Sequence, residues 1–107
     1  MEKVIRNGEV AVLVSRGFGA GWYTWNAAYP QCLYDKKMVE AVLRGCTTEQ
    51  IEDLALERFG TGFYAGGADG LTVEWLPIGT RFQVDEYDGA EYLEIADEQV
   101  WLVATEE

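Results

Sequence analysis

The sequence contains no histidine among its 107 residues. Histidine is the usual general base near neutral pH and the commonest metal ligand, so its absence excludes histidine-based triads and histidine-containing metal sites. Only Cys32 and Cys46 carry thiols, too few and too widely spaced for a disulfide framework or a zinc site. We expect both thiols to be reduced and partly buried. We predict a protein that is not an enzyme and that holds no metal and no cofactor.

Basic residues are also scarce. The chain has 8 Lys and Arg against 19 Asp and Glu, for a formal net charge of −11, and residues 81–107 hold nine of the acids but only one base, Arg81. Such a charge repels nucleic-acid phosphates and lipid headgroups, whose recognition depends on Lys and Arg. We therefore expect no direct nucleic-acid partner. The same charge attracts a partner protein with a basic surface.

A long hydrophobic run is missing as well. No apolar stretch approaches the roughly 20 residues needed to span a bilayer, and the first residues lack the basic and apolar regions of a signal peptide. We therefore expect a cytoplasmic protein with no membrane partner. The 49% content of hydrophobic residues and the length fit one folded domain over residues 1–107.

The patterns along the chain predict an α+β fold that begins with a β-hairpin. Asn7-Gly8 favours the positive φ angles of a type I′ turn, so strands are expected near 2–6 and 9–15. Residues 10–14 are nearly all apolar, so the second strand should be central in its sheet or covered on both faces.

Two short helices should follow the hairpin. Asp35 is the expected N-cap of the first helix, which ends before Gly45. A capping box from Thr47 to Gln50 opens the second helix, which ends at Gly60. We expect this helical hairpin to pack on one sheet face.

The C-terminal part is predicted to be an antiparallel β-meander. Strands are expected over 72–76, 80–87, 91–95 and 99–104, with a tight turn at Asp88-Gly89. Because side chains alternate between the two faces of a strand, we expect one face of the meander to be apolar and the other to be acidic and aromatic. The acidic and aromatic face should meet water or a partner.

The meander also contains five acids close together. Two of them could in principle act as a glycosidase pair, but we interpret all five as part of a solvated face. These five acids are Asp85, Glu86, Asp88, Glu91 and Glu94.

The most unusual stretch is the glycine-aromatic loop, residues 16–26, which combines alternating glycines with four aromatic rings. Its rings belong either to the core or to a binding surface. Trp22 and Trp25 would point to opposite sides of an extended segment, so we predict one core residue and one contact residue, with Trp22 as the contact. A second glycine-rich loop, residues 60–70, is expected to meet the first in space.

The glycines also raise the question of a nucleotide site. Trp22 stands where the dinucleotide fingerprint requires its third glycine, and the Gly-Lys-Ser/Thr of NTPases is absent. What remains is an anion cradle of backbone N–H groups and Arg16, with aromatic rings free to stack on a base. The candidate residues for a partner or ligand are Arg16, Phe18, Trp22, Tyr23, Trp25, Phe63, Tyr64, Asp85, Tyr87, Asp88, Tyr92 and Glu94.

Three short stretches resemble those of small acidic uncharacterised proteins encoded by bacteriophages and prophages, and the likeness runs through most of the chain. The stretches are residues 17–22, 73–75 and 86–89, which read Gly-Phe-Gly-Ala-Gly-Trp, Val-Glu-Trp and Glu-Tyr-Asp-Gly. The resemblance implies a phage accessory role in the host cytoplasm. Such proteins often occupy a host protein, as counter-defence inhibitors do, and some sequester nucleotide signals, in which case the two loops and an oligomeric interface would form the site.

Overall fold

The computed structural model describes residues 2–96 and residue 104. In this part of the chain, antiparallel sheets combine with two α-helices, so the predicted α+β class is confirmed. The predicted strand over 99–104 falls almost entirely outside the described residues. Neither helix of the described part has the length and apolar character needed to cross a membrane.

The first sheet has three strands, with the predicted apolar strand at its centre. β1 (Ile5–Arg6) pairs with β2 (Glu9–Ser15), and β2 pairs with β3 (Leu71–Pro77). Asn7 and Gly8 have φ angles of 52° and 77°, as the type I′ turn requires. The strand before this turn is shorter than predicted, because only two residues of β1 find partners on β2.

The two helices cover one face of this sheet, as predicted. Helix α1 (Lys36–Leu43) begins where the Asp35 side chain accepts a hydrogen bond from the Met38 N–H at 3.0 Å. Helix α2 (Thr48–Phe59) begins with the expected capping box. A short 3₁₀ turn over Pro30–Leu33 precedes α1, and another over Gly66–Gly70 precedes β3. The main core between the helices and the sheet includes Ala11, Leu13, Met38, Val39, Ile51 and Ala55.

The second sheet is a separate hairpin of β4 (Phe82–Tyr87) and β5 (Ala90–Ile95). Its predicted register is confirmed, with Val84 opposite Leu93. β3 does not pair with β4 as the first strand of a meander, because it occupies the free edge of β2. The N–H and C=O groups on the edge of β2 that faces away from β1 belong to a mostly buried strand and need a partner strand there, which β3 provides along the whole of β2.

The apolar side of the hairpin packs against the sheet face that lies opposite the helices. Val12, Leu33 and Leu76 form a small second core there. The partly buried side chains packed against it from the hairpin are Phe82, Val84, Leu93 and Ile95. Residues 2–96 therefore form three layers, which are the helices, the first sheet and the hairpin. The glycine-aromatic loop connects β2 to the first 3₁₀ turn.

The two glycine-rich loops meet, as predicted from their composition. A Cβ atom on Gly67 would lie 2.6 Å from the carbonyl oxygen of Gly21 and 2.8 Å from its carbonyl carbon. Both are backbone atoms, so neither can move aside cheaply. Gly17 is different, because the nearest atom to a Cβ there would be the Gly70 Cα at 3.8 Å, an ordinary contact.

We expect Gly67→Ala to lower the free energy of unfolding by about 1 to 3 kcal/mol, the usual cost of overpacking. Gly17→Ala adds the same methyl group without a collision and should change the stability by no more than about 0.5 kcal/mol. Urea unfolding of both variants measures the difference. Equal stabilities would contradict the close approach of the two loops.

Candidate functional site

The carboxylate of Glu91 on β5 is buried, with only 1% of the residue exposed. Its Oε1 accepts a hydrogen bond from the Ser15 N–H at 2.8 Å. Its Oε2 accepts from the Trp22 N–H at 3.0 Å, the Thr24 N–H at 2.8 Å and the Thr24 hydroxyl at 2.7 Å. A buried carboxylate is tolerated only when such donors replace water. These bonds fasten the hairpin to the end of β2 and to the glycine-aromatic loop.

The glycine-aromatic loop thus cradles an anion, but the anion belongs to the chain itself. The N–H groups of Trp22 and Thr24 are already bonded to Glu91. Arg16, which the cradle hypothesis assigned to an external anion, pairs with Glu74 on β3. Arg16 and the N–H groups of Trp22 and Thr24, which the cradle hypothesis would use for a phosphate, therefore have internal partners.

The expectation that Glu91 belongs to a solvated acidic face is wrong. Side chains of a strand alternate between its two faces, and Glu91 shares its face with Leu93 and Ile95. Those two residues were correctly expected on the apolar side. The alternation of side chains along β5 therefore indicated that Glu91 points inward. No pattern in the sequence indicated which N–H and O–H groups would donate hydrogen bonds to its carboxylate.

Trp22 is fully buried, so the prediction that it is the contact residue of the loop is wrong. Its indole Nε1–H donates to the Cys32 carbonyl oxygen at 2.9 Å. The edge of its ring meets Phe63, with 4.9 Å between the ring centroids. Phe63 is buried as well and is not a surface candidate. The bond from the Trp22 N–H to Glu91 holds this residue at the inner side of the loop, where its ring fills the main core.

Trp25 is the exposed tryptophan, with 43% of its surface accessible. Its ring stacks on Tyr64 of the second loop, with 5.7 Å between the centroids and 24° between the planes. Buried Asn26 joins the two loops, because its side chain donates to the Tyr64 carbonyl oxygen and accepts from the Tyr64 N–H, both at 2.9 Å. One tryptophan is therefore core and one is surface, as predicted, but with the roles exchanged. Tyr23 is half-buried and packs against both cores.

The outer side of the hairpin carries the acidic hairpin surface, which we define as Asp85, Tyr87, Asp88, Tyr92 and Glu94. Tyr87 is 75% exposed and Tyr92 42% exposed. Asp85 lies directly opposite Tyr92 in the strand register. Residues 82–96 contain no Lys or Arg, so no cation of the hairpin itself neutralises these carboxylates.

The proximity of the carboxylates shifts the protonation of two groups on this surface. The pKa of Glu94 is raised above its usual range by a hydrogen bond to Asp85 and by the negative charge of Asp85. The pKa of Tyr92 is also raised, chiefly by the charge of Asp85. Both shifts have the sign expected where negative charge is concentrated. A cation that binds here would relieve this repulsion.

The glycine-aromatic loop adds an aromatic ring at the tip of the hairpin. The Gly19 N–H donates to the Asp88 carbonyl oxygen at 2.5 Å, and Gly89 lies so close to Ala20 that a Cβ atom would collide with its backbone. These contacts hold Phe18 beside the hairpin turn with 74% of its surface exposed. The structure thus brings Phe18 together with the acidic hairpin surface, which the sequence did not indicate.

The buried thiol of Cys32 is a poor nucleophile. Burial raises the pKa of Cys32 to about 12, and the charges of Glu91 and Asp35 act in the same direction. A thiol with such a pKa is protonated at neutral pH and reacts poorly. Cys46 is a free, half-buried thiol. Within the described part of the chain, no group of three or more Cys, Asp or Glu side chains is arranged to hold a metal ion.

Comparison with protein-family models, with curated proteins and with solved structures finds no match for this chain. The candidate site is therefore argued from its geometry.

We expect Glu91→Gln to lower the free energy of unfolding by about 1 to 3 kcal/mol, because it places a buried donor against another donor. If the amide oxygen replaces Oε2, the new NH₂ group faces the Ser15 N–H. In the opposite orientation it faces the donors of Trp22 and Thr24. Glu52→Gln on the exposed side of α2 removes the same charge and serves as the control. Matching urea midpoints for the two variants would refute the role of Glu91.

The two tryptophans should respond differently to truncation. Trp22→Ala removes a fully buried ring and should cost about 3 to 5 kcal/mol. Trp25→Ala should cost only about 1 kcal/mol, mostly through the lost stacking with Tyr64. Thermal unfolding of both variants tests this order, and a larger loss for Trp25→Ala would contradict the assignment of core and surface.

Proposed function

We propose that this protein is a non-catalytic accessory protein that binds and occupies a host protein through the acidic hairpin surface. The proposed partner presents a basic surface. The resemblance to proteins of bacteriophages and prophages supports an inhibitory, counter-defence role for this binding.

One observation carries the proposal, namely that two exposed tyrosine rings stand among carboxylates on a hairpin whose residues 82–96 include no Lys or Arg. Tyrosine is enriched in protein interfaces and among the residues that dominate their affinity. Carboxylates around such rings select a partner of opposite charge and accelerate its capture. Phe18 at the hairpin tip enlarges the apolar part of this surface.

Arginine is the partner residue that fits this surface best. Its planar guanidinium can form paired hydrogen bonds with a carboxylate such as that of Asp85. It can also lie on the face of a tyrosine ring, and Tyr92 is adjacent to Asp85 across the strands. The carboxylate pair of Asp85 and Glu94 would lose its mutual repulsion when a guanidinium binds.

The acidic hairpin surface is also held in place before a partner arrives. On the inner side of the same hairpin, Glu91 receives its hydrogen bonds from β2 and the loop. A surface that is already ordered loses less conformational entropy on binding. This favours a role in occupying a partner tightly.

The sequestration of a nucleotide signal by the two loops has less support. Two backbone donors of the loop, the N–H groups of Trp22 and Thr24, are bonded to Glu91, and Arg16 pairs with Glu74. The exposed stack of Trp25 on Tyr64 is the feature that would still serve a base. We therefore keep this ligand class as a separate arm of the test.

The proposed binding can be measured by quantitative capture from bacterial lysate with the immobilised full-length protein. We expect a basic host protein to be enriched and then lost at high salt. The double variant Asp85→Asn/Tyr87→Ala should reduce its recovery by about ten-fold or more, because it removes one carboxylate and one aromatic anchor.

The double variant Glu52→Gln/Tyr64→Ala provides the matched control, since it removes one charge and one exposed tyrosine elsewhere on the molecule. It should capture the partner as well as the unmodified protein does. Equal losses in both double variants would refute the acidic hairpin surface as the site.

Thermal unfolding in the presence of nucleotides tests the other candidate function. A rise in melting temperature that nucleotides cause and that disappears in Trp25→Ala would support sequestration instead.

A further inference from the structure

A groove lies between the first sheet and the inner side of the hairpin, next to the second core. One part has a volume of about 240 Å³ and the adjoining part about 390 Å³. Tyr34 and Phe82 line both parts, so the two parts adjoin at these side chains. We call this feature the apolar groove, and the further residues that matter to its chemistry are Lys3, Val12, Leu76 and Thr80.

Among the described residues, the charge of the groove lining is opposite in sign to the net charge of the chain. None of the acidic residues that the structure describes lines either part. Lys3 is the one charged side chain that the described residues contribute to the lining, and its Nζ lies 4.1 Å from the centroid of the Tyr34 ring. Within the described residues, no carboxylate forms an ion pair with Lys3.

We propose that the apolar groove binds a small amphipathic carboxylate, whose ring lies between Val12 and Phe82 and whose anionic end meets Lys3. Small-molecule sites are typically concave and mostly apolar, with a few polar groups that fix the orientation of the ligand. A cavity of about 150 Å³ is enough to hold benzene. The volumes of the two parts therefore suit a ligand with one ring or two fused rings.

This site is separate from the proposed protein-binding surface. β4 contributes Phe82, Gln83 and Val84 to the lining of the groove, and no residue of the acidic hairpin surface lines either part. Binding in the groove therefore makes no use of the acidic hairpin surface, and either proposal can fail without the other.

The test compares naphthoate with naphthamide, its uncharged amide, by following the backbone amide chemical shifts of the full-length protein. We expect naphthoate to bind more tightly and to shift the resonances of Val12, Leu76 and Phe82. Lys3→Met should weaken naphthoate binding about five-fold, the scale of an ion pair at an exposed position, and leave naphthamide binding unchanged. Lys37→Met on α1 removes the same charge outside the groove and should change neither affinity.

A second variant tests the apolar part of the site. Thr80→Phe places a ring in the groove and should abolish the binding of both compounds while the remaining amide spectrum stays that of the folded protein. The proposal is overturned if naphthoate produces no shifts in the groove, if it binds no more tightly than naphthamide, or if Lys3→Met and Lys37→Met have equal effects.

Discussion

Because the carboxylate of Glu91 is buried, the surrounding chain must supply the hydrogen bonds that water would otherwise provide. Those donors come from the end of β2 and from the glycine-aromatic loop, about seventy positions earlier in the chain. One side chain therefore fixes where the hairpin lies on the sheet and how the loop is folded. Removing it would leave several buried donors without a partner, a larger penalty than the loss of one exposed charge.

The position of the hairpin gives its two sides different properties. The inner side provides the apolar residues that close the second core and border the apolar groove. The outer side keeps its carboxylates and tyrosines exposed, without a cation among residues 82–96. The hairpin thus carries the proposed binding surface on one side and borders the groove with the other. The proposed basic partner and the proposed anionic ligand differ in charge because they meet opposite sides of this hairpin.

The glycine-aromatic loop illustrates how packing can imitate a ligand site in a sequence. Its glycines and N–H groups suggested an anion cradle, and the loop does hold an anion, the carboxylate of Glu91. Gly67 of the second loop, which has no Cβ atom, also lets that loop approach the backbone of Gly21. The same contacts turn Trp22 into the core and leave Trp25 on the surface beside Tyr64. Composition identified the loop as important but could not separate these roles.

The sequence by itself determined the features that depend on neighbouring residues. The type I′ turn at Asn7-Gly8, the Asp35 cap, the capping box at Thr47 and the register of β4 with β5 all follow from a few adjacent positions. The exposure of the acidic hairpin surface also followed from alternation. These signals are local because turns and caps are closed by hydrogen bonds between residues only a few positions apart.

Only the tertiary structure decided which distant segments meet. Three features depend on groups far apart in the chain. They are the pairing of β3 with β2, the burial of Glu91, and the burial of Trp22 while Trp25 stays exposed. Whether a polar group can be buried, or a ring can fill a core, is determined by the donors and the space that the rest of the fold supplies at that place. No local pattern contains that information, because three of the four donors to Glu91 are backbone N–H groups, which every residue except proline possesses.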